Sequence, residues 1–519
     1  MAVPKFRNEK TIDWSNPTSR KKQESALAAL RAELGKEYPI VIGGERITAS
    51  EKFNSLNPSN PSEVVGIFQK GDASIARRAI ETALVSFEHW KAVPYTRRSA
   101  LLFKAAKAMR RRRFELNATM ILEVGKSWPE ADADTAEAID FLEFYGREIL
   151  RYGKDQPVVP NAGEKAKLVY IPLGVGIVIP PWNFPLAILT GMTSAAIVTG
   201  NTVVLKPSSD SPLIAWKFYE IMEEAGIPAG VLNFVTGPGG AVGDTLVTHP
   251  KARFVAFTGS KEVGIHINEV AAKVQPGQIW LKRVIAEMGG KDSIIVDEDA
   301  DVDAAVQGVI ASAFGFQGQK CSACSRVIVH EKIYDRFVDA IARKTDALSV
   351  GDPVDPANYM GPVINRGSHA SITAYISKGI AEGGRLVAGG SATAGGGYFI
   401  RPTVIADVYP DATIAQEEIF GPVLAVIKAG DFDEAMKIAN NTQYGLTGAV
   451  FTRNRKRIKR AEDEFFVGNL YVNRKCTGAL VGVHPFGGFN MSGTDSKAGG
   501  RDYLLLFLQA KSIAEKVRP

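Results

Sequence analysis

"GVGIVIPPWNFPLAILTGMTSAAIVTGNTVVLKP", residues 174–207, is the stretch that decides the fold. It carries no charge before Lys206, and its length would suit a membrane-spanning helix. However, Pro180, Pro181 and Pro185 interrupt it, and proline breaks a helix because it lacks the backbone donor. The stretch therefore predicts an apolar strand, a loop, a buried helix and a second apolar strand, as in a parallel sheet covered on both faces.

The same alternation of strands and helices continues along the chain. Helical patterns fall between Asp72 and Tyr152, from about Ala241, and within "VDAAVQGVIASAFGF" and "YDRFVDAIARKTDAL". We therefore expect two doubly wound α/β units that meet near residue 287. The further strand candidates are "YPIVIGGERI", "GVLNFVTG", "ARFVAFTGS", "SIIVDEDAD", "SRVIVH", "YFIRPTVIA", "LAVIKAGD" and "VGNLYVN".

Composition is that of an ordinary globular protein, with 519 residues, 45% of them hydrophobic and 23% charged. The net charge is +6, and two basic runs cover 110–113 and 453–460. Because both runs adjoin helical patterns and acidic residues, they favour solvated helix faces over a nucleic-acid surface. The N-terminus has no apolar core of a secretory signal, and three cysteines fit a reducing compartment. We expect a cytoplasmic protein with no membrane span.

Two of the three cysteines, Cys321 and Cys324, stand in the motif "CSAC". A zinc site needs four ligands in spaced pairs, but Cys476 is remote and the six histidines form no close pair, so no metal is expected. A thioredoxin-like pair would open a helix early in a small domain, whereas this motif follows a predicted helix in mid-chain. One nucleophile remains, favoured by the adjacent Lys320 and by nearby glycines, although composition alone favours an inert thiol.

Glycines follow several predicted strands, yet the spacing GxGxxG of a dinucleotide-binding turn is absent. "GVGIVI" and "GPGGAVG" have the wrong spacing, and glycines after strands commonly only form turns. Spacing alone therefore leaves a nicotinamide site open.

Seven motifs between Pro180 and Thr494 resemble those of the aldehyde dehydrogenases, in that family's order. The resemblance implies the family's fold, with two doubly wound α/β domains and a small β oligomerisation arm. It implies a dinucleotide-binding domain over 1–148 and 171–286, a catalytic domain over 287–498, and an oligomerisation segment from 149–170 and 499–519. The motifs are "PPWNFP", "LKPSSDSP", "FTGSKEVG", "AEMGGKD", "FGFQGQKCSACSR", "QEEIFGPV" and "HPFGGFNMSGT".

The resemblance also implies roles for individual residues. The Cys321 thiolate would attack an aldehyde, and the Asn183 amide with the Cys321 backbone N–H would stabilise the oxyanion. Glu287 would be the general base that activates the hydrolytic water. Cys324 would be an idle neighbour, and a reversible Cys321–Cys324 disulfide is a minor alternative. The implied cofactor-binding residues are Pro181, Trp182, Lys206, Ser209, Gly259, Ser260, Gly264, Glu418 and Phe420.

Within the family the chain resembles most the branch that oxidises L-glutamate 5-semialdehyde, which is in equilibrium with 1-pyrroline-5-carboxylate, in proline degradation. "GQKCSACSR", "NRKCTGALVGVHPFGGFNMSGTDSKAGG" and "ADADTAEAIDFLEFY" carry this closer resemblance. It implies that Glu137 meets the substrate ammonium, while some members have serine at the position of Ala479. The other implied contacts are Ser322, Gly478 and Ala479 with the carboxylate, and Phe184 and Phe486 with the aliphatic chain.

The cofactor expectation is NAD, with NADP tolerated. Family members that prefer NAD often carry glutamate where this chain has Ser209, and a glutamate there would repel a 2′-phosphate. Serine repels neither cofactor and Lys206 would favour a phosphate, although Asp210 could supply the missing carboxylate, and Ser209 could simply begin a helix.

The resemblance implies a homodimer or a multiple of dimers, and action beside a separate proline dehydrogenase. Two alternatives stay open: another semialdehyde dehydrogenase such as the succinate type, and a non-catalytic protein of the same fold. The presence of Cys321, Glu287 and Asn183 argues against the second alternative.

Overall fold

The computed structural model of the protein describes residues 3–391 and 396–517. Strands Val175–Ile179 and Thr202–Leu205 pair in parallel, and helix Ala187–Val198 connects them. The helix begins only after the three prolines, because proline cannot continue an α-helix. The prediction made from residues 174–207 is confirmed, and the segment lies at the centre of the first of two large sheets.

The first sheet has seven strands. Five run in parallel, and the last two form an antiparallel hairpin at one edge from the predicted strand "YPIVIGGERI". In spatial order the strands are Arg283–Glu287, Ala252–Thr258, Val175–Ile179, Thr202–Leu205, Leu232–Phe234, Ile40–Ile42 and Glu45–Ile47.

Both faces of the first sheet are covered by helices. Val203 and Leu205 pack into one apolar cluster, while Val204 between them packs into another on the opposite face. The helix expected from about Ala241 is wrong in its start: a π-helical turn covers Gly239–Gly243 and the α-helix covers only Asp244–Thr248. The remaining helices of this part are Pro17–Arg31, Ala73–Trp90, Tyr95–Arg111, Arg113–Val124, Trp128–Tyr152, Pro212–Ala225 and Lys261–Ala272.

The second sheet also has seven strands, six of them parallel. Their order is Arg385–Ala388, Thr403–Ala406, Val423–Ala429, Cys324–His330, Asp292–Val296, Thr447–Phe451 and Asn469–Val472, with the first strand antiparallel. Alternate residues of these strands again belong to two clusters on opposite faces, so two doubly wound units are confirmed. The helices here are Val302–Phe314, Tyr334–Asp346, Arg366–Ala381, Thr413–Gln416, Phe432–Asn440 and Arg455–Glu464.

Smaller sheets complete the described chain. Glu37–Tyr38, Lys52–Asn57 and Asn60–Gln69 form a three-stranded sheet, and Tyr444–Gly445 pairs with Phe489–Asn490. Glu164–Pro172 and Leu508–Lys516 form an antiparallel arm, the β arm, in which most residues of the second strand are exposed.

The predicted domain boundaries stay predictions, and their outermost residues, 1–2 and 518–519, lie outside the described residues. The first sheet ends at Glu287 and the second begins at Asp292, close to the expected meeting point. Helix Trp128–Tyr152 and the arm strand Glu164–Pro172 each extend two to four residues across an expected boundary. In the described ranges, no helix combines the length and apolar character needed to cross a membrane.

The carboxyl ends of the parallel strands of the first sheet gather the polar residues of interest. Asn183 follows Val175–Ile179, Lys206 follows Thr202–Leu205, and Gly259 and Ser260 follow Ala252–Thr258. In open parallel sheets ligands bind at this edge. The fold therefore places four of the predicted site residues around one crevice.

Candidate active site

Two cavities meet at Cys321. The wide cavity has a volume of about 740 Å³ and lies along the carboxyl edge of the first sheet. The narrow cavity has a volume of about 110 Å³ and lies between helix Trp128–Tyr152 and the segment 478–498. Cys321 lines both cavities, and so does Thr258. A thiol at this junction can reach a molecule in either space.

The wide cavity contains eight of the nine residues that the sequence predicts for a cofactor. Gly264 is the exception, because it does not line the cavity and a Cβ atom there would come within 2.4 Å of Met288 Sδ. Gly264 therefore does not line the wall, and its small size lets helix Lys261–Ala272 pack against Met288. The eight that line the wall are Pro181, Trp182, Lys206, Ser209, Gly259, Ser260, Glu418 and Phe420.

One end of the wide cavity presents positive charge and backbone donors. Ser260 caps the helix Lys261–Ala272, accepting a hydrogen bond from the Val263 N–H at 3.3 Å, so the positive end of this helix faces the wall. Lys206 is buried, and burial lowers its pKa to about 8. Within the described residues its ammonium donates one hydrogen bond, to the Pro207 carbonyl at 3.4 Å. This end suits a ligand that carries phosphates and hydroxyl groups.

The other end of the wide cavity is shaped by Glu418 and two aromatic rings. Glu418 Oε1 accepts a hydrogen bond from the Gly290 N–H at 3.0 Å, and burial raises its pKa to about 7. A Cβ atom at Gly289 would lie 2.1 Å from the same carboxylate, so glycine is required for this approach. The Trp182 and Phe420 rings pack edge to face, 5.5 Å between centroids. A flat heterocycle and a hydroxyl-bearing sugar fit such walls.

The Cys321 side chain is half-buried at the junction of the two cavities and has acidic groups around it. Burial raises its pKa well above the ordinary value, and Asp292, Glu287 and Glu418 act in the same direction. Lys320 was expected to lower this pKa, but its Nζ pairs with Glu130 Oε1 at 2.7 Å. That expectation is wrong, because the charge of the Lys320 ammonium is balanced by the Glu130 carboxylate with which it pairs. Burial and these carboxyl groups therefore favour the thiol over the thiolate.

Asn183 and Glu287 approach the cysteine from the two cavities. Asn183 lines the wide cavity beside Cys321, and its Nδ2 donates to the Gln319 carbonyl at 3.1 Å, which orients the amide. Glu287 ends its strand in the narrow cavity, where burial raises its pKa to about 8. Its Oε1 accepts a hydrogen bond from the Ser496 hydroxyl, while Oε2 is buried without a partner in the described chain. A buried, half-satisfied carboxyl of this pKa is suited to proton transfer.

The narrow cavity contains all six residues that the sequence predicts for a substrate. Aromatic rings and aliphatic side chains form most of its wall, with a few polar groups between them. Such walls exclude water and leave the polar groups to choose the ligand. The six predicted residues are Glu137, Phe184, Ser322, Gly478, Ala479 and Phe486.

Glu137 is a second acidic group of the narrow cavity, beside Glu287. Burial raises the pKa of its carboxyl to about 8, with a further contribution from Asp134 and an opposing one from Lys126. Lys126 itself is fully buried; its Nζ pairs with Asp134 at 2.8 Å and lies 4.1 Å from the centroid of the Phe184 ring. Glu137 therefore is no solvated surface carboxylate, and a cation bound beside it would favour its ionised form.

The second cysteine of the CSAC motif points away from both cavities. Cys324 is buried at the start of its strand, and its thiol donates to the Arg326 carbonyl at 3.2 Å. Cys476 lies on the same side and its thiol donates to the Ser322 carbonyl at 3.5 Å. The structure thus separates Cys324 from Cys321 and packs it as an apolar residue.

Comparison with known proteins decides the family. Residues 47–513 match the model of the aldehyde dehydrogenase family. The chain belongs to this family. It is 56% identical over 513 residues to 1-pyrroline-5-carboxylate dehydrogenase of Geobacillus thermodenitrificans, and the alignment covers 99% of each chain. The resemblance inferred from the seven motifs is confirmed.

Solved structures agree with this membership. A 1-pyrroline-5-carboxylate dehydrogenase from Thermus with bound NAD is 51% identical, with a TM-score of 0.98 and coverage of 99% of this chain and 100% of that one. Proline utilization A from Bdellovibrio bacteriovorus is 46% identical, with a TM-score of 0.98, over 100% of this chain and 54% of that one. The aldehyde dehydrogenase fold expected from the sequence is confirmed.

This aldehyde dehydrogenase site also contains residues that the sequence did not single out. No local pattern marks them, because they come from distant helices and loops that only the folded chain brings together. A lysine two residues after the largely apolar helix Arg113–Val124 was an available signal, and it marks Lys126, whose ammonium lies 4.1 Å from the centroid of the Phe184 ring. The additional groups in the walls include Phe141, Ile188, Met192, Leu480, Val481, His484 and Tyr503 in the narrow cavity, and Ser208 and His266 in the wide cavity.

Proposed function

We propose that the protein oxidises L-glutamate 5-semialdehyde to L-glutamate with NAD, as the second step of proline degradation. The observation that carries the proposal is the position of Cys321 between a wide cavity suited to a dinucleotide and a narrow cavity with the Glu137 carboxylate and several backbone donors. The names of the 1-pyrroline-5-carboxylate dehydrogenases that it resembles over nearly its whole length support the same substrate.

The chemistry follows from the groups at the junction. The Cys321 thiolate adds to the aldehyde carbon, and the Asn183 amide with the Cys321 backbone N–H stabilises the oxyanion that forms. The aldehyde hydrogen would leave this carbon as a hydride, and NAD bound in the wide cavity would supply the hydride acceptor. The product on Cys321 is a thioester. Glu287 then takes a proton from water as the water attacks the thioester carbon, which releases the acid and returns the thiolate.

Thiolate formation needs help in this site. Burial, together with Asp292, Glu287 and Glu418, raises the pKa of the Cys321 thiol, so a positive charge placed beside it would favour the thiolate. The oxidised nicotinamide ring carries such a charge, and the walls around Trp182 and Phe420 would hold it beside Cys321. Binding of the cofactor would therefore prepare the nucleophile.

The substrate carries an ammonium and a carboxylate besides the aldehyde. Glu137 would bind the ammonium, and the backbone N–H groups of Gly478 and Ala479 with the Ser322 hydroxyl would bind the carboxylate. Phe184 and Phe486 would pack against the methylene groups between them. Succinate semialdehyde lacks the ammonium, so it would leave the Glu137 carboxyl buried without a cation.

Cofactor choice, assembly and location are further parts of this proposal. NADP is tolerated because Ser209, in the wall of the wide cavity, carries no charge to repel a 2′-phosphate. The β arm joins two copies into a dimer through its exposed strand, since unpaired edges favour further pairing. The enzyme acts in the cytoplasm, where its three free thiols stay reduced, and receives substrate from a separate proline dehydrogenase.

A cofactor-reduction assay tests the proposal. The rate of NADH formation is compared for L-glutamate 5-semialdehyde, succinate semialdehyde and pentanal at equal concentrations. The highest kcat/KM is expected for the glutamate compound. A higher kcat/KM for succinate semialdehyde would instead indicate that this compound is the substrate. If no aldehyde gives NADH, the proposed catalytic function is wrong.

A further inference from the structure

Two backbone donors in the narrow cavity lack acceptors. Gly478 and Ala479 both line this cavity, and within residues 3–391 and 396–517 neither N–H group donates a hydrogen bond. Gly478 is exposed and Ala479 is half-buried, so this part of the loop is accessible to a ligand that enters the cavity. The pair is therefore a candidate site for an anion, provided that both N–H groups face the cavity together.

Arg474 holds the opposite side of this loop. Its Nη2 donates to the Thr477 carbonyl at 3.0 Å and to the Gly478 carbonyl at 3.4 Å. Its Nε donates to the Lys475 carbonyl at 3.3 Å. One planar guanidinium thus gathers three carbonyl groups of the chain that follows it.

The geometry of the peptide bond converts this contact into an orientation of the donors. In a trans peptide the carbonyl and the N–H point in opposite directions. The Thr477 carbonyl shares its peptide with the Gly478 N–H, and the Gly478 carbonyl shares its peptide with the Ala479 N–H. When Arg474 holds both carbonyls on one side, both N–H groups point to the other side, where the cavity lies.

The first peptide of the loop provides an internal check. This peptide joins Lys475 to Cys476. The Lys475 carbonyl accepts a hydrogen bond from Arg474, and the Cys476 N–H points the opposite way and donates to Ser312 Oγ at 3.2 Å. Gly478 has a φ of 78°, a left-handed conformation that glycine adopts without strain. The loop can therefore turn sharply while it keeps the carbonyls gathered.

Arg474 is itself anchored. Its guanidinium carbon lies 4.5 Å from the centroid of the Tyr471 ring, which is buried on strand Asn469–Val472. Asn473 exchanges two hydrogen bonds of 3.0 Å with the Thr452 backbone, which holds the start of the loop. None of the described ion pairs involves Arg474, so its guanidinium charge interacts with the loop carbonyl groups rather than with a carboxylate.

We infer that Arg474 is a positioning residue that aims the Gly478 and Ala479 N–H groups at the carboxylate of the substrate. It touches the loop from behind and acts only through the two peptides. The inference deepens the proposed function, because it names the group that makes the carboxylate subsite rigid. Rigid donors bind an anion better because no conformational freedom is lost on binding.

The test compares Arg474→Gln and Arg474→Lys with the wild type, using Arg455→Gln as a control. Arg455 is an exposed arginine on helix Arg455–Glu464, so its replacement removes the same charge away from the loop. For Arg474→Gln we expect the KM of L-glutamate 5-semialdehyde to rise about tenfold or more, with kcat and the kcat/KM for pentanal nearly unchanged. The inhibition constant of L-glutamate against pentanal should rise by the same factor.

The Arg474→Lys variant distinguishes the effect of donor orientation from the effect of the positive charge at residue 474. An ammonium keeps the charge but cannot reproduce the planar fork of donors, so Arg474→Lys should keep most of the loss. Full recovery in Arg474→Lys, an equal loss with pentanal, or an unchanged inhibition constant for L-glutamate would each overturn the inference. If the wild type shows no preference for the glutamate compound, the proposed function fails, and the inhibition constants still decide the role of Arg474.

Discussion

The wide and narrow cavities share Cys321, but they handle charge in different ways. The wide cavity is formed largely by turns after parallel strands, and its Lys206 ammonium lies buried without a carboxylate partner in the described chain. The narrow cavity is formed by helix and loop side chains, and nearby cations are already paired: Lys126 with Asp134 and Lys320 with Glu130. The Glu137 carboxylate is thereby left to a ligand.

This difference shows how one nucleophile can serve a general cofactor and a specific substrate. Backbone donors and an unpaired cation suit a dinucleotide, which many proteins of this fold must bind alike. Paired charges in an apolar wall make any unmatched ligand costly, so we expect the narrow cavity to reject aldehydes that cannot pair with its polar groups. We therefore expect the largest effect from substitution of Cys321, which both cavities share, and smaller effects from substitution of residues that line only one cavity.

Cys321 connects the two cavities, and its loss should have the largest effect. Cys321→Ser should lower kcat at least about a thousandfold, since a hydroxyl at this site is a far weaker nucleophile. Cys324→Ala should keep most of the activity, because that residue lines neither of the two cavities and its thiol donates to the Arg326 carbonyl. NADH formation with each variant measures both effects. Equal loss in two folded variants would instead indicate a working cysteine pair.

Glu287 should affect the second half of the reaction. Glu287→Gln should slow turnover about a hundredfold or more and leave a burst of NADH, because the base is needed only after the thioester forms. A base works when deprotonated, and burial raises its pKa to about 8, so kcat limited by hydrolysis should rise as pH increases through about 8. Rapid-quench measurements across pH test this, and a variant without a burst would contradict the assignment.

Glu137 distinguishes the two kinds of aldehyde, because its replacement should lower activity only with the substrate that carries an ammonium. Glu137→Ala should cost about 1.5–3 kcal/mol in kcat/KM for L-glutamate 5-semialdehyde, the cost of removing a charged partner. Pentanal should be oxidised as by the wild type. Glu143→Ala is the matched control, because this carboxylate lies on the same helix outside the cavity wall and pairs with Arg110 at 2.7 Å. If both aldehydes lose equally, Glu137 supports the fold and does not bind the amine.

Ser209 should have the smallest effect, confined to the far end of the wide cavity. Ser209→Glu should cut kcat/KM for NADP several-fold or more and leave NAD nearly unchanged, since a carboxylate repels the 2′-phosphate. Asp210 competes for this role; its carboxylate accepts a hydrogen bond from Asn365 Nδ2 at 3.2 Å, and burial raises its pKa. Asp210→Asn is therefore measured beside it. A wild type that ignores NADP would show that another group excludes the phosphate.

Sequence reasoning reached the cofactor side more easily than the surroundings of the nucleophile. The resemblance to the aldehyde dehydrogenases predicts Asn183, Lys206 and Ser260, and the folded chain places them at one sheet edge because parallel strands end together. The pKa of Cys321 could not be read in this way. Lys320 precedes it in the chain, yet the ammonium pairs with Glu130, which is 190 residues earlier. Adjacency in sequence does not fix the direction of a side chain.

By itself the sequence determined the two α/β units and the family, and it predicts the nucleophile, because these depend on local periodicity and on motifs that are contiguous in the chain. Tertiary structure alone decided that Cys321 lies between two cavities, that Gly264 serves packing, and that Arg474 gathers the carbonyls behind Gly478. Burial and pairing of charge are properties of contacts between distant segments. They fix pKa values and donor directions, and no local pattern of residues encodes them.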